Sequence, residues 1–258
     1  MVRDSTDVLR RPRLARLAAC LAMVFWGVLF FGLVDLLVVV FQDERFYDDY
    51  LLETGWGLLY AVMTAVPFLA VVVRPRAVLP LLQPLAVAVA VAVAAAIAAY
   101  PRQLIPAALL VLSVVVTWIA GGYRRLPHLT SPDRRLLGLA ALAAPGCLWY
   151  AADMAGDWQS SAPDITIGLD HRPMQAALGL AVLLTSVLAA FGARDRTPGW
   201  LVLVSTVVVS VAWLGIESMI YPELSGSLGV VPGACAVCWA LAFAGLARSP
   251  LDVQPDRQ

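Results

Sequence analysis

Eight stretches of this chain are long and apolar enough to cross a bilayer as helices, and that pattern leaves few folds open. A spanning helix needs ~20 apolar residues to cover a hydrocarbon core ~30 Å thick. The stretches are 17–41, 55–73, 77–99, 104–121, 136–154, 174–192, 200–219 and 229–247. Lipid offers no partner to backbone N–H and C=O groups, so only helices and closed barrels can span it. Residues 85–99 alternate mainly Ala and Val, a strand-like period. A lone strand would leave its backbone unpaired in lipid, so helix is expected there too. The expected fold class is all-α: a polytopic transmembrane helix bundle of about eight spans. The count falls to seven if the short fourth stretch, or the second with its Pro67, is discounted.

Composition agrees. Of 258 residues, 61% are hydrophobic and 14% charged, against roughly 25% charged in soluble domains. The same composition excludes several function classes. Net charge is zero with no long basic run, so nucleic acid is not an expected partner. All 18 basic residues are Arg, which rules out chemistry needing a Schiff-base lysine. Cys20, Cys147, Cys235 and Cys238 lie in apolar stretches and do not form an extracellular disulfide framework. Cys235 and Cys238 make a CxxC at the start of the last span, where packing is the simpler role. No paired-histidine motif joins His128 and His171, and no cofactor is expected.

The arginines orient the bundle. With the N-terminus inside, 15 fall on the cytoplasmic side, and only Arg45, Arg102 and Arg172 lie outside. This positive-inside bias repeats at every inner connection and favours an even number of spans, with both termini cytoplasmic. Arg10, Arg11, Arg13 and Arg16 before an apolar run resemble a secretory signal, but the run continues to Phe41 and suits a retained helix. The expected organisation is a basic tail over 1–16, a bundle over 17–247 and a second tail over 248–258. High Ala and Val with Arg-only basic residues point to a GC-rich bacterial genome and the plasma membrane.

The two halves share a layout. Arg74-Pro75-Arg76 and Arg194-Asp195-Arg196 follow the second and sixth spans. Ile105-Pro106-Ala107 and Val231-Pro232-Gly233 open the fourth and eighth. The spacing fits a 4+4 parallel pseudo-repeat about an axis along the membrane normal.

Acids sort opposite to the arginines, and residue counts place six candidate groups near one level. Asp35 is the only formal charge well inside a stretch, and it lies 18 residues beyond Leu17, or ~27 Å along a helix. Asp153 and Glu217 reach the same level on the fifth and seventh spans, while Glu53, Asp170 and His171 immediately precede the second and sixth. Converging, they would form an acidic outward-facing vestibule that concentrates cations or recruits a metal. Dispersed, they would be separate interfacial acids.

Three functional readings follow. The first is a membrane protein that binds or passes a small cation or solute. The second is a non-catalytic accessory subunit docking a membrane protein partner through outer loops 42–55 and 155–173. The third is an outward-facing enzyme built on His171 and a carboxylate. Packing signals are neutral among them: Pro145-Gly146 should kink the fifth span, and Ala86, Ala90, Ala94 and Ala98 give the third a close-packing face.

Overall fold

The computed structural model describes residues 5–41 and 44–248, with side chains for 11–41 and 47–248. The outermost parts of both expected tails, and the side chains of Asp43 and Glu44, lie outside the described residues. Among the described residues, eight helices are long and apolar enough to span a membrane: Arg11–Leu29, Tyr47–Val73, Leu79–Ile97, Pro101–Gly121, Arg134–Asp157, His171–Arg194, Trp200–Ile220 and Val230–Arg248. The protein is an integral membrane helical bundle. Its connections gather at two ends, called here the arginine end and the acidic end.

The first stretch is not one helix. Helix α1 (Ser5–Val24) begins within the segment expected as a tail, passes through a π-helical turn at Phe25–Leu29, and stops. The Phe30 amide bonds the Phe25 carbonyl at 2.7 Å, and Phe31 takes φ +63°, a left-handed conformation that ends the helix. The chain resumes as α2 (Gly32–Phe41). Opposite it runs the second span: α3 (Tyr50–Gly57), a π-helical stretch Leu58–Ala65, and α4 (Val66–Val73). The two spans form a hairpin in which α2 lies on α3 and the two π segments meet.

Glycine sets the spacing of this hairpin. A Cβ on Gly57 would stand 2.6 Å from the Leu36 backbone nitrogen, and one on Gly32 would stand 2.8 Å from the Ala61 nitrogen. Side chains at either position would force the halves apart. The broken helix leaves the Phe30 carbonyl without a helical partner, and Trp56 Nε1 donates to it at 2.9 Å.

The remaining helices are α5 (Leu82–Ile97), α6 (Leu104–Gly121), α7 (Arg134–Asp157), α8 (His171–Arg194), α9 (Trp200–Ile220) and α10 (Val230–Arg248). The Ala/Val-alternating segment is helical, with its Ala86–Ala90–Ala94–Ala98 face buried as α5 packs on α8. Pro145 lies within a continuous α7. Lipid tails are as apolar as leucine, so close packing and interhelical hydrogen bonds hold such a bundle. Buried Gln83 on α5 donates to the Met63 carbonyl at 3.0 Å and to Thr206 at 2.8 Å, joining three spans. Gln175 on α8 bonds the Leu51 carbonyl and accepts from Tyr150 at 3.0 Å.

At the acidic end, a two-residue hairpin precedes α8: β1 (Ile165–Thr166) pairs antiparallel with β2 (Leu169–Asp170). Its turn, Ile167-Gly168, has φ +56° and +76°, the two positive values of a type I′ turn. Tyr100 donates to the Gly168 carbonyl at 3.2 Å. Left-handed backbone is costly for β-branched Ile167, whereas Asn-Gly is the preferred I′ pair. Ile167→Asn is therefore expected to stabilise the protein by about 1 kcal/mol, read as a raised midpoint in thermal unfolding in detergent.

Candidate metal centre

The hairpin register builds one wall of the site. Ile165 pairs with Asp170, and the next rung brings Asp164 opposite His171, whose amide donates to the Asp164 carbonyl at 3.0 Å. Asp170 then serves as the N-cap of α8, accepting from the Arg172 amide at 2.9 Å. A cap satisfies one of the free N–H groups of a helix start. Burial raises the Asp170 carboxyl above its ordinary range, opposed by that amide and by the Arg172 charge. His171 is thereby fixed as the first helical residue, fully buried.

Helices α2 and α3 bring the other two side chains of the candidate site. Asp35 and Glu53 are 4% and 5% exposed, and with His171 each offers one donor atom, all within 4.8 Å of one another. The His171 ring is polarised between two sides. Its Nδ1 lies 3.1 Å from the Asp164 carbonyl, the acceptor that holds a proton there, with the charge of Asp164 Oδ2 alongside at 3.0 Å. Its Nε2 faces Glu53 Oε2 at 3.7 Å, too long for a hydrogen bond. Both Nε2 and Asp35 Oδ2 are buried without a hydrogen-bond partner. Trp56 braces the imidazole, ring centroids 4.8 Å apart.

This arrangement matches the needs of a cation. Buried carboxylates are normally paired or bound to metal. The arginine nearest in sequence turns elsewhere: Arg172 donates to the Ala162 carbonyl at 2.8 Å and to Ser225 at 3.2 Å. Two ligands, each ~2.1 Å from an ion at a tetrahedral angle, stand about 3.4 Å apart, close to the Nε2–Oε2 separation. A histidine that binds metal through one nitrogen usually donates the other N–H to a carboxylate or carbonyl. Asp164 occupies that position.

Toward the membrane centre, Phe30 stacks on Trp56 at 5.3 Å and Trp26 stacks on Tyr60 at 5.3 Å. Tyr60 OH donates to Met174 Sδ at 3.1 Å. Four aromatic rings from the first hairpin are thus stacked on the membrane-centre side of Asp35 and Glu53.

Of the six residues expected to meet, Asp35, Glu53 and His171 do. Asp170 stands behind them as the helix cap. Glu217 is buried on α9 outside this group, accepting from Thr54 Oγ1 at 3.1 Å, with its second oxygen unpartnered. Asp153 is exposed on α7 and takes no part. His128 is exposed at the arginine end. Asp164 is not one of the six; its role depends on the hairpin register, which no local motif announces. Comparison with protein-family models, curated proteins and solved structures gives no match.

Proposed function

We propose that this multi-pass protein binds a divalent transition-metal ion at its outward face through Asp35, Glu53 and His171. The supporting observation is the pair of orphaned, buried donor atoms, His171 Nε2 and Asp35 Oδ2, meeting Glu53 with Asp164 behind the imidazole. One imidazole and two carboxylates suit Zn²⁺, with Mn²⁺ the nearest competitor. The arginine distribution supports an orientation with both termini in the cytoplasm and this site outside, and the Ala/Val-rich, Arg-only composition supports a bacterial plasma membrane.

A second reading, metal-dependent hydrolysis, is favoured by the ligand number. Three protein ligands leave a coordination position for water, as in catalytic rather than structural zinc sites. Passage of the ion across the membrane draws less support, because the stacked aromatic rings lie on the membrane-centre side of Asp35 and Glu53.

The test is thermal unfolding of the purified chain in detergent, after chelation, across a Zn²⁺ series with Mg²⁺ as control. An ion that binds only the folded state adds about 2.7 kcal/mol at one hundred times its Kd. The midpoint should rise with Zn²⁺ and not with equal Mg²⁺. Asp35→Asn should abolish that rise while making the metal-free protein at least as stable, since it removes one of several crowded acids. A Zn²⁺ response undiminished in Asp35→Asn would overturn the proposal.

A further inference from the structure

A second feature lies in the other half of the bundle, independent of the metal site. Helices α7, α8, α9 and α10 enclose a cavity of about 340 Å³, within the size range of small-molecule sites. Its lining is apolar and aromatic, including Leu142, Gly146, Trp149, Cys235 and Trp239. Leu142 is 71% and Trp149 56% exposed, so the cavity opens sideways to the bilayer. Trp239 Nε1 donates to the Leu139 carbonyl at 2.9 Å and ties α10 to α7 beside it.

Among the polar groups of this lining, the Tyr150 hydroxyl and the Trp239 indole N–H are already hydrogen-bonded. Ser210 on α9 is 1% exposed, and its hydroxyl has no partner. A serine within a membrane helix usually bonds back to the carbonyl one turn earlier. Ser113 does so at 2.8 Å and Ser186 at 2.7 Å. Ser210 does not, and it lies ten residues from either end of Trp200–Ile220, or ~15 Å. Its hydroxyl is therefore near mid-membrane, where a phospholipid presents only hydrocarbon because its ester oxygens lie at the interface.

We infer that this cavity binds a lipid-soluble carbonyl compound of the quinone type, whose ring packs between Trp149 and Trp239 and whose oxygen accepts from Ser210. Such a molecule is apolar enough to reach the site laterally through the bilayer. It also supplies the acceptor that a lipid chain cannot.

The test is native mass spectrometry of the full chain in detergent, titrated with a decyl-substituted benzoquinone. A saturable one-to-one adduct is expected. Ser210→Ala should weaken it about tenfold, the worth of one hydrogen bond. Gly146→Leu should abolish it by filling the cavity, and folding should survive because a Cβ at Gly146 meets nothing within 4 Å. Zn²⁺ binding should be unchanged in both variants, which separates this inference from the metal proposal. Absence of a saturable adduct, or equal affinity in Ser210→Ala, would overturn it. So would a copurifying phospholipid that the quinone fails to displace.

Discussion

Gly57→Ala is expected to destabilise the protein by about 2–4 kcal/mol, although alanine is the better helix former. In a helix interior, alanine is worth roughly 0.5–1 kcal/mol over glycine. At Gly57 the added Cβ would stand 2.6 Å from the Leu36 nitrogen and Cβ. Backbone cannot yield as a flexible side chain can, so α2 and α3 must separate. Overpacking of this kind costs about 1–3 kcal/mol, and more when backbone moves. Gly138 on α7 is the control, because a Cβ there meets nothing within 4 Å. Gly138→Ala should gain about 0.5–1 kcal/mol. Opposite signs for one chemical change, read in matched thermal melts, would establish α2–α3 apposition as the cause. Because that apposition also sets Asp35 against Glu53, any folded Gly57→Ala protein should bind Zn²⁺ more weakly.

The second large effect is on metal affinity itself. His171→Ala and Glu53→Gln should each reduce Zn²⁺ affinity by at least a hundredfold in titration calorimetry, since each removes a direct ligand. Asp164→Ala should cost less, about tenfold. Loss of a supporting group typically costs 10–100-fold, and the Asp164 backbone carbonyl would still hold Nδ1. Asp153→Asn should change nothing, because Asp153 is exposed on α7. Glu217→Gln keeps the acceptor that Thr54 uses and should leave affinity within a few-fold. This graded order separates a site of three ligands from diffuse attraction by an acidic surface, in which every acid would contribute alike.

The bundle was legible because lipid imposes one simple condition on the backbone, and eight apolar stretches satisfy it. The common level of the candidate acids was legible for a similar reason: helical rise converts residue count into depth. Which way each side chain faces was not. Asp153 has the right depth, but buried Tyr150, Ala151, Met154 and Ala155 are the residues α7 turns inward, and that choice depends on the neighbouring helices. The break at Phe30–Phe31 follows a π turn with no proline to announce it. Asp164 was hidden for a third reason. It reaches His171 through a hairpin whose turn begins with isoleucine, a residue that argues locally against the left-handed backbone it adopts.

X-ray absorption at the zinc edge of the Zn²⁺-loaded, purified protein tests the central claim most directly. One imidazole nitrogen at about 2.0–2.1 Å with oxygen ligands at about 2.0–2.2 Å, and no sulfur near 2.3 Å, is the expected first shell. The imidazole signature should vanish in His171→Ala. A sulfur-ligated ion, or an imidazole signature that persists in His171→Ala, would contradict the account.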